Sequence, residues 1–371
     1  MGRIGSLDVL RGVAILGTFG TNVWIFSSPA GLAAVLGGGG PLESGLRALS
    51  NGKFLALLSV LFGVGLAIQH ASAVRRGARW PGRYLWRCAL LFVEGALHYI
   101  LVFEFDVLMF YAIIAVVCAF VVGRSAKVIR GWMIAAGALH VTVVGLLTLA
   151  LFGSGLDGGG PTDTSSWRAQ VAFRVDHVLA LRSEGVLVLP LGVVLFLAGA
   201  QLLRAGALEK SARGHGVRRR LIGWGLGVGV PLNALTAFGG TDWALVDRYL
   251  CAPLVAFGLL GGITALVHRL GERTGPLRQG LTAVGRCALS CYIAQNVLAS
   301  VLCYRWGLGI TGGPLWTIGC FALVSTTVLI GAWLWLRRFP RGPVEMVWDF
   351  AYRAPSRLSS RRTRCLPDRS A

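Results

Sequence analysis

Residues 84–123 read YLWRCALLFVEGALHYILVFEFDVLMFYAIIAVVCAFVVG. Two apolar stretches, 84–103 and 106–123, are separated only by Glu104 and Phe105. Each approaches the roughly 20 residues that a helix needs to cross a bilayer. The pattern predicts two spanning helices joined by a tight hairpin, and it sets the scale for the rest of the chain. Working outward, eight more segments have that length and character: 9–26, 54–73, 131–152, 186–203, 219–237, 249–268, 284–304 and 315–336. The expected fold class is therefore all-α, a polytopic membrane protein with about ten transmembrane helices.

Composition agrees. Of 371 residues, 55% are hydrophobic and 14% charged, against about 25% charged in a soluble domain. The mean hydropathy is +0.67. Too little polar surface exists to cover a water-exposed body of this size. The net charge of +20 raises the question of nucleic acid. Its placement argues otherwise, because the basic residues lie in short runs between apolar segments, as in cytoplasmic membrane loops. With ten spans and a cytoplasmic N-terminus, 26 of the 36 Lys and Arg fall in inner segments and seven in outer loops, alternating loop by loop. Both ends are thus expected in the cytoplasm.

The expected organisation is a five-helix membrane region over 1–152, an external loop over 153–185, a second five-helix region over 186–353, and a disordered basic cytoplasmic tail over 354–371. The Gly-rich 153–166 and the Arg- and Ser-rich tail are too polar to bury a core. PVEMVWDFAY (343–352) suits an amphipathic helix along the inner interface. Val9–Phe26 is long for a signal-peptide core and reads as a retained helix. None of the eight cysteines forms a C-x-x-C pair. They read as small packing residues, with no metal site or disulfide framework implied.

Ionisable groups inside a membrane are expensive and mark candidate sites. Asp8 and Arg11 share a helix face at the inner end of the first segment. One reading is helix-dipole compensation and snorkelling; the other is a cytoplasmic anion site. Glu94 and His98 are four apart on the third segment. At 1.5 Å per residue from the inner edges, Glu94 lies about 15 Å deep, His98 about 21 Å and Asn22 about 20 Å. Asp106 sits just above. A histidine with carboxylate neighbours is a general-base arrangement, so His98, Glu94 and Asp106 are the candidate catalytic residues. The competing reading is a polar network that only joins helices. Arg286, Tyr292 and Gln295 on the ninth segment, with Asp8, Arg11 and Asn22, are the candidate binding residues. Arg286 either anchors its helix or binds a carboxylate or phosphate.

His140 reads as a satisfied buried histidine. Arg174, Asp176 and His177 read as a solvated face or a substrate lid. Gly223, Gly225, Gly227 and Gly229 before Pro231 suit close helix packing or a kink, and lack the Lys-Ser/Thr of a phosphate loop.

Several stretches carry a family resemblance: RIGSLDVLRGVAILGTFGTNVWIF at the N-terminus, FLALLSVLFGVGLAI, the hairpin, GRCALSCYIAQNV, and RRFPRGPVEMVWDFAY. Together these resemble the YeiB family of bacterial inner-membrane proteins over nearly the whole chain. Matching positions include Asp8, Arg11, Gly12, Asn22, His98, Asp106, Gly285, Arg286, Tyr292, Gln295 and Glu345. The chain departs from the family pattern at Ser290–Cys291, at Asp349 and over Glu104–Asp106. The family's N-terminal region is in turn similar to membrane acyltransferases of the heparan-alpha-glucosaminide N-acetyltransferase type. That resemblance implies transfer of an acyl group from cytoplasmic acyl-CoA to a small or lipid-like acceptor. On that reading acyl-CoA is the co-substrate, and membrane lipid and the acceptor are the partners. A transporter, a membrane enzyme performing isomerisation or cyclisation on a lipophilic intermediate, and a non-catalytic scaffold are the alternatives.

Overall fold

A computed structural model describes residues 5–28, 40–153, 163–271, 273 and 275–364, with side chains up to 354. The expectation for 153–166 falls largely on 154–162, outside the described residues, and that for the tail falls partly on 365–371, also outside them. Every regular element among the described residues is helical.

The helices are α1 (Gly5–Ser27), α2 (Pro41–Ala48), α3 (Lys53–Arg75), α4 (Arg83–Leu101), α5 (Leu108–Val121), α6 (Ala126–Leu151), α7 (Trp167–Asp176), α8 (Val178–Leu181), α9 (Gly185–Arg204), α10 (Ala212–Gly227) and α11 (Gly229–Ala237). A 3₁₀ turn, α12 (Ala244–Val246) and a π-helical turn (Asp247–Cys251) lead into α13 (Ala252–Leu270). Then come α14 (Pro276–Arg286), α15 (Ala288–Cys303), α16 (Pro314–Trp335) and α17 (Pro343–Arg364). Starts follow familiar chemistry. Proline opens α2, α14 and α16, where its missing N–H costs nothing. Ser166 and Ser211 accept backbone N–H groups at the starts of α7 and α10.

Six stretches are long and apolar enough to cross a membrane, and seven if the bent pair α14–α15 counts as one span. The remaining expected segments also fall on helices. These are α4, which carries Arg83, Arg87, Glu94 and His98 in 19 residues; α5, only 14 residues long; and the pair α10–α11, broken at Val228 and basic at its start. The hairpin is looser than expected. Six residues, 102–107, separate α4 from α5, and they matter for the site.

α1 is the most buried span and forms the centre of the bundle. Its packing against α14 is backbone to backbone. A Cβ on Gly12 would lie 2.0 Å from the Leu281 carbonyl oxygen, and one on Gly285 would lie 1.8 Å from that of Asp8. Small residues at such crossings let membrane helices touch directly. The glycine series in α10 works the same way, since a Cβ on Gly225 would meet the Gly258 nitrogen of α13 at 2.2 Å. The same stretch also carries the break at Val228, so close packing and a kink occur together. By contrast, only a ninth of the apolar window of α6 is buried (11%). Its exposed Ile134, Leu139, Leu146 and Leu149 face outward from the bundle.

Between α14 and α15 the chain turns through 97° at Cys287. A helix that starts at so sharp a bend leaves its first N–H groups without intrahelical partners. Here Glu345 of α17 supplies them. Its Oε1 accepts from the backbone N–H of Leu289 at 2.8 Å and of Ser290 at 3.3 Å, and its Oε2 accepts from the Ser290 hydroxyl. A carboxylate there also complements the positive end of the α15 dipole. The break in the ninth segment had no signature as plain as that of the Gly-Pro stretch. It rests on a residue far along the chain.

Candidate active site

His98 sits near the end of α4, 3% exposed. The six-residue loop after α4 folds Asp106 back onto it. The imidazole Nδ1 lies 2.9 Å from Asp106 Oδ1 and donates to it. Asp106 is fully buried. Its Oδ2 accepts from the Leu108 N–H at 2.8 Å, and its Oδ1 also accepts from the Tyr292 hydroxyl at 3.2 Å. On the far side of the ring, Asn296 Nδ2 lies 3.3 Å from His98 Nε2, and Asn22 Nδ2 donates to Asn296 Oδ1 at 3.4 Å. Donors and acceptors align in one direction, Asn22 to Asn296 to His98 to Asp106. That alignment fixes the tautomer with its proton on Nδ1 and a lone pair on Nε2. A carboxylate on Nδ1 orients the ring and stabilises the cation formed when Nε2 takes a proton.

The structure therefore brings together His98, Asp106, Tyr292 and Asn22, contributed by α4, its loop, α15 and α1. Asn296 of α15 completes the chain. Glu94 does not join them. It is one turn below His98, and neither carboxylate oxygen has a hydrogen-bond partner among the described residues. Helical spacing of four places the two residues on one face, but the loop delivers Asp106 to the ring first. Gln295 is fully buried and donates to the Ile15 carbonyl at 3.3 Å, a tie between α15 and α1 rather than a site contact.

The loop carrying Asp106 is held by two arginines from the segment between α6 and α9. Arg182 donates to the Asp106 carbonyl at 2.6 Å and to that of Glu104. It also lies over the Tyr99 ring, 4.2 Å from the centroid. Arg174 pairs with Glu104 at 3.1 Å and donates to the carbonyls of Ile100 and Val102 at 3.1 Å each. It is 1% exposed, which corrects its reading as part of a solvated face. Carbonyls at the end of α4 have no intrahelical donors, and α7 folds over them to provide one. Asp176 and His177 are exposed.

Two cavities flank this centre. The lower one, about 680 Å³, opens beside the start of α1 and is lined by Asp8, Arg11, Arg87, Arg286, Arg341 and Glu345. Asp8 and Arg11 pair at 3.8 Å, Arg341 binds Asp349 at 2.8 Å, and Glu345 is engaged by α15. Arg87 lies over the Trp348 ring and Arg286 donates to the Pro340 carbonyl at 3.1 Å. Among the described residues neither of these two has a carboxylate within ion-pair distance. The upper cavity, about 470 Å³, lies along the second half of α1 and includes Thr18, Thr21 and Asn22. Tyr292 lines both cavities and separates them, while its hydroxyl holds Asp106. His98 lines neither. Asn296 and Tyr292 cover it, so its Nε2 is reached only when one of them moves.

A second polar cluster, without a clear signature in the sequence, borders the upper cavity. Asp247, in the π-helical turn, accepts from Asn233 at 2.6 Å, Thr236 at 3.0 Å and Asn51 at 3.0 Å. Arg248 donates to Asn51 Oδ1 at 2.8 Å and pairs with Glu184 at 3.5 Å. These residues are scattered from 51 to 248, and a lone Asp or Arg at a predicted segment edge reads as a loop charge. The π-turn, a form often found at functional sites, turns them into the bundle. His140 Nε2 donates to the Tyr249 carbonyl at 3.0 Å, while its buried Nδ1 has no hydrogen-bond partner among the described residues. Among the described residues no cluster of His, Cys, Asp and Glu is arranged to hold a metal.

Fold and site together define a multi-pass α-helical membrane protein with a buried His–Asp pair between two cavities. Residues 202–354 match the family described as Protein of unknown function (DUF418). Uncharacterized protein YxaH of Bacillus subtilis (strain 168) is 26% identical over 395 residues, covering 94% of this chain and 94% of that protein. Uncharacterized protein YeiB of Escherichia coli (strain K12) is 27% identical over 378 residues, covering 94% of this chain and 96% of that protein. Over nearly its whole length the chain is thus similar to these two proteins.

Proposed function

We propose that the protein is an integral membrane transferase of the bacterial inner membrane that moves an acyl group from cytoplasmic acyl-CoA to an acceptor on the other side. The observation that carries this reading is the placement of His98–Asp106 and Tyr292 between a cavity with uncompensated arginines and one without. With about ten spans and both ends inside, the positive-inside pattern places the lower cavity toward the cytoplasm. Arg87 and Arg286 then suit the phosphates of a coenzyme A thioester, with Arg11 beside them. Such a thioester supplies an activated acyl carbon when bound. The chain's own part is proton handling. Asn296 swings off Nε2, His98 accepts the proton of an acceptor hydroxyl or amine as that oxygen or nitrogen bonds to the acyl carbon, and Asp106 holds the resulting imidazolium, which returns the proton to the coenzyme A thiolate released when the thioester C–S bond breaks. Tyr292 keeps water from passing between the cavities.

A second reading, a small-molecule transporter, is favoured by one feature. The pair α14–α15 is bent by 97°, and broken helices recur in secondary transporters. The two readings separate on thioester binding. Purified protein in nanodiscs is expected to bind acetyl-CoA or a longer acyl-CoA and to lose affinity on Arg87→Gln and Arg286→Gln. Ion-gradient-driven uptake of a solute by protein that binds no acyl-CoA would favour the transporter.

A further inference from the structure

We infer that the upper cavity is the seat of a membrane amphiphile with an uncharged, hydroxyl-bearing headgroup. Its role as acceptor rests on the transferase reading; its occupancy does not. Three observations define the occupant.

The first is charge. The two ionised side chains lining the upper cavity are Arg248 and Glu184, and they neutralise each other at 3.5 Å. Asp247, just behind, has its carboxylate taken up by Asn51, Asn233 and Thr236. An anionic head would meet Glu184 and a cationic one Arg248, each at a desolvation cost with no free counter-charge. The lower cavity has arginines to spare, so the two cavities select different charge.

The second is the pattern of polar groups. Thr18, Thr21 and Asn22 present short donors and acceptors on one face of α1, with Tyr292 at the far end. Thr18 gives its hydroxyl proton to the Ala14 carbonyl at 2.7 Å and so offers an acceptor, whereas Thr21 and Asn22 can both give and accept, a mix that suits a polyol head. Asn22 also begins the chain of hydrogen bonds that ends on His98. A headgroup hydroxyl placed there would lie at the entrance to Nε2.

The third is the wall opposite. Leu147 and Leu151 of α6 line the cavity, and α6 is the span whose surface is least covered by protein. Val186, also a lining residue, is 58% exposed at the rim. A soluble sugar gains nothing from such a wall. An acyl or prenyl chain lying against it stays in hydrocarbon while its head reaches Asn22.

The test uses the full chain in nanodiscs and a photoreactive alkyl glucoside bearing a diazirine in its chain, with labelled positions mapped by mass spectrometry. Labelling is expected on α6 near Leu147 and Leu151. Octyl glucoside should compete at least about tenfold better than glucose, the factor that burial of roughly two methylene groups supplies, and better than octyl phosphate. Val186→Trp, at an exposed rim position, should block labelling without lowering the melting temperature. Glu184→Gln leaves Arg248 without its counter-charge and should make octyl phosphate the better competitor. Equal competition by glucose, label elsewhere on the chain, or unchanged charge preference in Glu184→Gln would each overturn the inference. The probe needs neither a thioester nor His98. Labelling of a protein without acyl-CoA turnover would defeat the transferase reading alone, and turnover without labelling would defeat this one alone.

Discussion

At His98 the local geometry assigns the two ring nitrogens different tasks. Nδ1 is committed to Asp106, so Nε2 is the basic atom, covered by Asn296. Asp106→Asn keeps the size of the side chain but removes the charge that stabilises the imidazolium. Turnover is expected to fall by about 10²–10⁴, the range of a general base, with acyl-CoA affinity unchanged; a steady-state rate measured beside a binding isotherm checks it. Glu94→Gln should change turnover far less, since Glu94 touches neither the ring nor a cavity. Arg174 has a structural task. Arg174→Met leaves Glu104 buried and unpaired, and breaking such a pair costs about 3–5 kcal/mol, visible as a lowered unfolding temperature in detergent. The histidine, the aspartate and Asn22 were legible in the sequence as polar residues at one depth. Their pairing was not, because periodicity reports only neighbours on one helix. The loop 102–107, Arg174 and Arg182 act between helices.

At the level of elements, the bend at Cys287 and its carboxylate clamp set the position of α15, and so of Tyr292 and Asn296. Glu345→Gln retains an acceptor oxygen but loses the charge facing the half-helix N-terminus. A loss of about 1 kcal/mol, the size of a cap or dipole contribution, is expected. Turnover should fall with it as Tyr292 shifts, which a melting curve and an activity assay on the same preparation would show. Gly285→Ala drives a methyl group into the Asp8 carbonyl and should cost about 1–3 kcal/mol through forced separation of α1 and α14. The glycines, the arginine and the Glu345 motif were all visible in the chain. What the sequence could not show is that they meet, since residues 12, 285 and 345 come together only in the folded bundle. The ninth segment reads as one continuous apolar run, and nothing in its composition announces the turn at Cys287. The capping group that permits it lies more than fifty residues downstream.

For the whole molecule, the all-helical membrane architecture follows from the apolar runs and the alternation of basic loops. The number of crossings does not follow from length alone. Six or seven stretches satisfy it, whereas α4, α5 and α10–α11 carry charge, are short, or break. Some of their polar residues, His98 of α4 and Asn233 and Thr236 of α11, belong to the two buried polar clusters. Reporter fusions at either end are expected to be active only in the cytoplasm, and one inserted near residue 163 only outside. A cytoplasmic signal there would undo the assignment of the two cavities to opposite faces. The central claim is that His98 performs proton transfer on a thioester-dependent reaction between them. It is tested most directly by adding labelled acyl-CoA to purified wild type and to His98→Ala in nanodiscs, and measuring binding and thioester turnover together. Equal binding with turnover lost in the variant is the predicted result. Turnover that survives in His98→Ala, or well-folded wild type that binds no acyl-CoA, would contradict it.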